Sequence, residues 1–263
     1  MIDVHCHLLP GLDHGAQSVD EAVGMVVAAS REGIHAIIAT PHFRLEPAQL
    51  AQAETFAARR AELKAELERR GLRMDLYGGA EVRLEPGIAE PLSRLPELRL
   101  AGSHYVLLEP PFDQLPLATE QVIFDLQVLG FRPVFSHPER CGPIQQQPER
   151  FLELVGRGVL GQMSARSIIG LEGPAARRCA AELLARGGIH FIASDSHAPE
   201  AAGPRLEQAR DLARRLLGEK ANALVEDNPA RVLNDELIPL APPAEPLPSG
   251  WRRLLDRLLG RNA

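Results

Sequence analysis

The run Ile2-Asp3-Val4-His5-Cys6-His7 decides the fold, because it joins a short β-rich strand to two imidazoles at its end, with a capped helix next in line. Ser18 with Glu21 three residues on forms a capping box, whose side chains satisfy free amides of a first helical turn. An apolar helical period then runs over Val19–Glu32. The same unit recurs along the chain. Strands are expected at Ile2–His5, Ala36–Thr40, Met74–Tyr77, Tyr105–Leu108, Pro133–Ser136, Gly161–Ser164 and Ile189–Ala193. Helical periods cover about Val19–Glu32, Ala48–Arg70, Thr119–Leu129, Pro148–Arg157, Pro174–Arg186 and Pro204–Leu217. Such alternation builds an α/β protein around a parallel sheet. The sheet either closes into a TIM-like barrel or stays open, and both arrangements place chemistry at the carboxyl ends of the strands.

The barrel is the expectation, because nearly every strand ends in a polar side chain. In order these are His5 and His7, His42, Glu81, Glu109, His137, then Asp195 and His197. From His7 onward the intervals are 35, 39, 28, 28 and 58 residues. One βα unit takes about 30 residues, so the double interval means that the sixth strand, ending near Ser164, supplies no ligand. Carboxylates gathered in a partly desolvated site repel one another and cannot all stay ionised unaided. Divalent cations remove that conflict. Imidazole and carboxylate without Cys suits Zn²⁺, Mn²⁺, Fe²⁺ or Co²⁺ better than Ca²⁺, and the number of ligands calls for two to three ions.

The 263 residues, 45% hydrophobic and 24% charged, exclude general disorder. A net charge of −6 leaves no global basic field, so no nucleic-acid partner is expected. Three cysteines point to a reducing compartment. With neither a signal-like start nor an apolar span, the expected location is cytoplasmic. None of Cys6, Cys141 and Cys179 has an arginine six residues on, where Leu12, Gln147 and Ala185 stand instead, so a Cys-x5-Arg phosphatase loop is excluded. Strand alternation turns Cys6 away from its flanking histidines into packing.

Six segments carry a resemblance: Met1-Ile2-Asp3-Val4-His5-Cys6-His7, Ile38-Ala39-Thr40-Pro41-His42, Gly79-Ala80-Glu81, Val106-Leu107-Leu108-Glu109, Pro133-Val134-Phe135-Ser136-His137-Pro138-Glu139-Arg140 and Ile192-Ala193-Ser194-Asp195-Ser196-His197. Together they resemble the PHP (polymerase and histidinol phosphatase) superfamily, specifically its capsular and exopolysaccharide tyrosine phosphatases, from Met1 to about Leu237. The resemblance implies a distorted TIM-like (β/α)7 barrel over residues 1–237 with a trinuclear centre, usually supported by Mn²⁺, that hydrolyses phosphotyrosine in proteins. The substrate class it implies is the tyrosine-rich tail of a bacterial kinase of polysaccharide export. It also implies that His5, His7, Glu81 and Asp195 hold one ion, with Glu81 bridging to a second on Glu109 and His137. His42, His197 and a residue of the loop after the first strand hold the third.

Two departures stand out. Relatives commonly carry two acids before the loop glycine, whereas this chain has Asp13-His14-Gly15, so His14 is the expected ligand and Asp13 the residue that orients one. Arg140 matches a family arginine suited to bidentate phosphoryl contact. The other family arginine falls on Ala202, with Arg205 as its candidate substitute.

Clustered metals can supply both an activated water and charge neutralisation, so no protein nucleophile is required. A small-molecule phosphatase of histidinol-phosphate type and a non-catalytic metal-binding regulator of an export complex stay open as alternatives. Beyond the barrel, residues 238–249 read as a Pro-rich linker and 250–263 as an amphipathic cationic helix. Peripheral membrane contact, docking on a partner and packing on the chain's own body are the three readings of that helix.

Overall fold

The computed structural model describes residues 1–199, 203–240 and 242–245. Nine short parallel strands form, β1 (Ile2–Cys6), β2 (Ala36–Ala39), β3 (His42–Phe43), β4 (Asp75–Gly78), β5 (Glu81–Arg83), β6 (Tyr105–Glu109), β7 (Arg132–Ser136), β8 (Leu160–Ser164) and β9 (Phe191–Ala193); seven overlap the expected segments, and β3 and β5 lie past the expected ends at Thr40 and Tyr77. Two interruptions account for the extra pair. Pro41 has no amide hydrogen to give a ladder and separates β2 from β3, and Gly79-Ala80 separates β4 from β5. The result is a three-stranded sheet in the order β1-β2-β4 and a six-stranded sheet in the order β3-β5-β6-β7-β8-β9. The breaks are bridged by hydrogen bonds, for Glu81 N donates to Pro41 O at 3.0 Å and Thr40 N to Cys6 O at 2.9 Å. Just past β9, Asp195 N donates to His5 O and His7 N to Ser196 O, both at 2.9 Å.

Strands with helices on the outer face should be apolar on both sides, and β6 is buried at all five positions. Its alternation sorts two cores. Tyr105 and Leu107 pack with Ile2, Val4, Ile38, Val134 and Phe191. Val106 and Leu108 face the helix layer, with Phe135, Val26 and Leu126.

The expected helix over Ala48–Arg70 is two helices, Pro47–Ala53 and Phe56–Arg69. Thr55 Oγ1 donates to Gln52 O at 2.7 Å, the local side-chain bond by which threonine competes with helix continuation. The cap of the first helix also differs in detail. Glu21 N donates to Ser18 Oγ at 3.2 Å as expected, but the Glu21 carboxylate accepts from Gln17 N, one residue earlier than a capping box requires. Of the Pro-rich stretch, the described part is tied to the body: Ile238 N donates to the Tyr105 hydroxyl at 3.1 Å and Ala244 N to Arg186 O at 2.9 Å. The rest of the linker and the C-terminal helix, residues 246–263, lie outside the described residues, as does Ala202. No helix among the described residues is long and apolar enough to cross a membrane.

Strand β9 begins at Phe191 rather than Ile189, because His190 pairs with β8 in its own way. Its amide donates to Gly161 O at 2.7 Å and its Nδ1 accepts from Gly161 N at 3.0 Å. Burial holds this imidazole down at about 4, against 6.5 when free. Below pH 6.5 the unfolded chain therefore takes up a proton that the folded chain refuses, and folding stability drops until about pH 4, by roughly 3 kcal/mol at most. Urea unfolding at pH 7 and pH 5, in chelator, should show a smaller loss for His190→Gln than for the unaltered chain. Equal losses would contradict the assignment.

Candidate metal centre

The strand ends do converge. Glu81, at the first position of β5, is buried, and its Oε2 lies 3.4 Å from His5 Nε2, 3.4 Å from His7 Nε2 and 3.1 Å from His42 Nδ1. That oxygen nevertheless accepts no hydrogen bond. The other oxygen, Oε1, meets His137 Nε2 at 2.9 Å. Asp195 Oδ1 stands 3.5 Å from His5 Nε2 and 3.4 Å from His7 Nε2. Glu109 closes the acidic side, with Oε2 at 3.8 Å from His42 Nδ1.

The outer nitrogens of the two strand-end imidazoles are already engaged. His5 Nδ1 donates to Gln162 Oε1 at 2.9 Å and His7 Nδ1 to Asp13 Oδ2 at 2.6 Å. In their neutral forms these rings would turn Nε2 lone pairs on each other across 3.1 Å. Two lone pairs that close repel unless a proton or a metal cation lies between them. His197 Nε2 is also buried without a hydrogen-bond partner. Three trios bring one donor atom each to a common point: His5, His7 and Glu81; His42, Glu81 and Glu109; and His7, His42 and His197. The donor set fits divalent cations.

His14 is exposed, yet its ring stacks at 4.3 Å on His197 and 4.9 Å on His42. The loop that carries it folds back on β1, where Ala16 N donates to His7 O at 3.1 Å. Only glycine can occupy position 15, since a Cβ there would lie 2.2 Å from His7 O. Asp13 anchors this loop through Gly15 N at 2.8 Å and reaches His42 N at 3.0 Å, so one carboxylate ties two histidine-bearing segments together. Two site residues sit in the left-handed backbone region, His137 with φ 32° and Asp195 with φ 53°. Non-glycine residues rarely adopt it, and such strain persists where surrounding structure enforces a functional geometry.

Burial would lower the His5 pKa, but the charges of Glu81 and Asp195 override it and raise the group to about 9. Burial has the same effect on His7, which its bond to Asp13 and the nearby carboxylates of Asp195 and Glu81 hold well above its ordinary value. Burial dominates at His42 and His197 and holds both at about 4, the neutral form that ligates metals. Glu109 is raised by burial and by the neighbouring charge of Glu81. The cluster of acids thus demands positive charge at its focus.

Arg140 lies on the cavity wall, with Nη1 donating to Asp195 Oδ2 at 2.8 Å and Nη2 at 3.6 Å from Glu172. Its guanidinium covers the Phe112 ring at 4.7 Å. Arg205 is not brought to the site. It is exposed, its amide donates to Glu32 at 3.0 Å, and it does not line the cavity. It is the N-cap residue of the helix Leu206–Leu217, with φ 52°. Sequence reasoning missed five other residues of the cavity, Leu12, Arg44, Gln49, Arg83 and Phe112. Arg44 and Arg83 each stand two residues past a predicted ligand, His42 and Glu81, and that same-side spacing is the signal that could have found them. Cys6 is buried, as expected, and packs with its thiol toward Ser196 O.

Fold and site together define a parallel α/β protein with a candidate metal centre at its strand ends. The model of the capsular polysaccharide synthesis family CpsB/CapC matches residues 1–234, and the chain belongs to this family. It is similar to the tyrosine-protein phosphatase YwqE of Bacillus subtilis, 32% identical over 92% of this chain and 95% of the relative. It is 34% identical to the putative tyrosine-protein phosphatase CapC of Staphylococcus aureus over 75% of this chain and 77% of that one. Among solved structures, it is similar to one from work on YwqE of Bacillus subtilis and CpsB of Streptococcus pneumoniae, described as metal-dependent tyrosine phosphatases. The TM-score is 0.85, with 31% identity over 92% of this chain and 98% of that one. A likeness of fold alone extends to the L-hydantoinase of Arthrobacter aurescens, with a TM-score of 0.50 and 15% identity over 89% of this chain and 70% of that one.

If these residues hold metal, His137→Ala and Asp195→Ala should each lower the bound metal measured by elemental analysis, and Cys6→Ser should retain it. Asp13→Asn, which loosens two imidazole-bearing segments, should weaken metal affinity by about 10- to 100-fold in a chelator titration. Full metal content in His137→Ala and Asp195→Ala would contradict the site.

Proposed function

We propose that this chain is a metal-dependent protein-tyrosine phosphatase acting in capsular or exopolysaccharide synthesis. The carrying observation is Glu81 Oε2, surrounded by three imidazole nitrogens at 3.1 to 3.4 Å on the floor of a cavity walled by Arg140. The names of relatives that match nine-tenths or more of this chain point the same way. His5, His7, Glu81 and Asp195 would hold one ion, Glu81, Glu109 and His137 a second, and His42, His197 and His14 a third. Mn²⁺ is the first choice, with Zn²⁺, Fe²⁺ and Co²⁺ chemically compatible. In the same reading the strands form a distorted (β/α)7 barrel, supported by the bonds that return the end of β9 to β1.

When bound, the ions supply an activated water nucleophile and neutralise phosphoryl oxygens. The chain's own residues do the rest. The cavity, of about 530 Å³, is lined by no Ser, Thr, Cys or Lys among the described residues. No side-chain hydroxyl, thiol or amine is therefore placed for attack. Arg140, steadied by Asp195 and Glu172, pairs with phosphoryl oxygens in a contact that strengthens as charge develops. Phe112 stays 45% exposed in the cavity lining, with its carbonyl fixed by Gly142 N at 2.7 Å. An aromatic surface there favours a phenyl ester over a small alkyl phosphate. A phenolate also leaves with a pKa of about 10 and needs less protonation than an alkoxide. The substrate would be a phosphotyrosine-bearing protein such as a bacterial tyrosine kinase of polysaccharide export, met in the cytoplasm, where three buried free cysteines are at home.

Metal-stripped protein assayed on phosphotyrosyl peptide, phosphoseryl peptide and histidinol phosphate, with Mn²⁺, Zn²⁺, Mg²⁺ or Fe²⁺ returned, tests this reading. Mn²⁺-dependent turnover of the phosphotyrosyl peptide is expected. Preference for histidinol phosphate would favour a small-molecule phosphatase, and metal uptake without turnover a regulator. Arg140→Ala should lower kcat/KM by about 100-fold. Phe112→Ala should raise KM for aryl phosphates by about 2- to 10-fold, the span of one aromatic pair.

A further inference from the structure

We infer that Arg44 and Arg83 form a second anion subsite at the cavity mouth, which takes an acidic group next to the phosphotyrosine in the substrate peptide. The inference rests on the phosphatase reading above and names the kind of peptide that site prefers.

Register carries it. Strands β3 and β5 pair in parallel, with His42 opposite Glu81 and Phe43 opposite Val82; Arg44 and Arg83 each follow by one residue, so a continued register would bring them side by side. Both arginines line the same cavity as the presumed ligands. Like charges directly opposite on neighbouring strands are destabilising, so two guanidiniums so placed are a feature that an anion would relieve. What the chain offers them is slight. The Arg83 Nη1 lies 3.7 Å from Glu109, whose carboxylate is also a presumed metal ligand. For Arg44, exposed at the rim, no ion pair is found among the described residues; its backbone amide donates to Gln49 and its carbonyl accepts from Glu46 N.

The placement suits a flanking residue rather than the scissile phosphate. His42 and Glu81 mark the depth of the metal centre. Arg44 and Arg83 stand two residues further toward the mouth, about 7 Å at strand rise. A phosphotyrosine with its phosphate on the floor brings its peptide backbone to that outer level. Arg140 follows β7, which β6 separates from β5, and it is paired with Asp195 whereas Arg83 lies by Glu109. The two arginine sets therefore grip different groups. A guanidinium pair binds carboxylate and phosphate alike, so the flanking anion is either an Asp or Glu side chain or a second phosphotyrosine.

Three phosphotyrosyl peptides test the inference, identical except for flanking Glu and Asp, flanking Gln and Asn, or one flanking residue replaced by a second phosphotyrosine. On the Mn²⁺-loaded full chain, kcat/KM for at least one anionic peptide should exceed that for the neutral one by about fivefold or more, the worth of an exposed charge pair. The gain should lie in KM and shrink at high salt. Arg44→Gln and Arg83→Gln should each reduce the anionic-to-neutral ratio, and the double variant should bring it to about one. Preference for both anionic peptides would identify a carboxylate as sufficient, and preference for the doubly phosphorylated peptide alone would identify phosphate as the ligand. Equal turnover of all three peptides would overturn the subsite and leave the phosphatase reading standing. A preference that survives in the double variant would overturn its assignment to these arginines. No release of phosphate from any peptide would overturn both.

Discussion

One buried carboxylate, Glu81, organises the molecule. It faces imidazoles from three other segments, through 2.9 Å to His137 and 3.1 to 3.4 Å to His42, His5 and His7. Taking such a group out of water is tolerable only when it is paired. Several local features serve that pairing. The break between β4 and β5 starts a new strand at Glu81 itself, in register with both β3 and β6. The left-handed residues His137 and Asp195 turn the chain where β7 and β9 end. The loop through Gly15 approaches His7 so closely that no side chain would fit.

The surrounding shell is polar in a directed way. Strand β8 contributes no presumed ligand, yet Gln162 holds His5 through Nδ1 and leaves Nε2 for the focus. Asp13 does the same for His7. Fixing one ring nitrogen sets the tautomer and orientation of the other, the usual means of tuning a metal-binding imidazole. Glu139 extends this order outward: fully buried, it accepts from Ser164 N at 3.0 Å and links the turn after β7 to the end of β8.

The parallel α/β alternation and the convergence of strand ends were legible because both are periodic properties of the chain. Short β-rich runs of four or five residues at unit spacing marked the seven strand segments, and the histidines and acids that follow them marked one rim. What stayed hidden depends on neighbours in space. The helix break at Thr55 turns on a hydroxyl bond to Gln52 O, and the late start of β9 on His190 pairing with Gly161. Arg44 and Arg83 look like solvated charge until the fold puts both in the lining of one cavity, each one residue past the paired ends of β3 and β5. Arg205 stood near the position of a missing arginine in sequence, but it caps the helix Leu206–Leu217, bonds Glu32 through its backbone amide and is not in the cavity lining.

The central claim is that cations let these imidazoles and acids share one focus. Anomalous diffraction at the manganese edge, from crystals of the Mn²⁺-loaded chain, tests it most directly. The account predicts at least two strong peaks bonded to Glu81 and to the Nε2 atoms of His5 and His7, at ordinary coordination distances of about 2.0 to 2.2 Å. A loaded chain whose only peaks lie away from Glu81, with the imidazoles still in mutual contact, would contradict it.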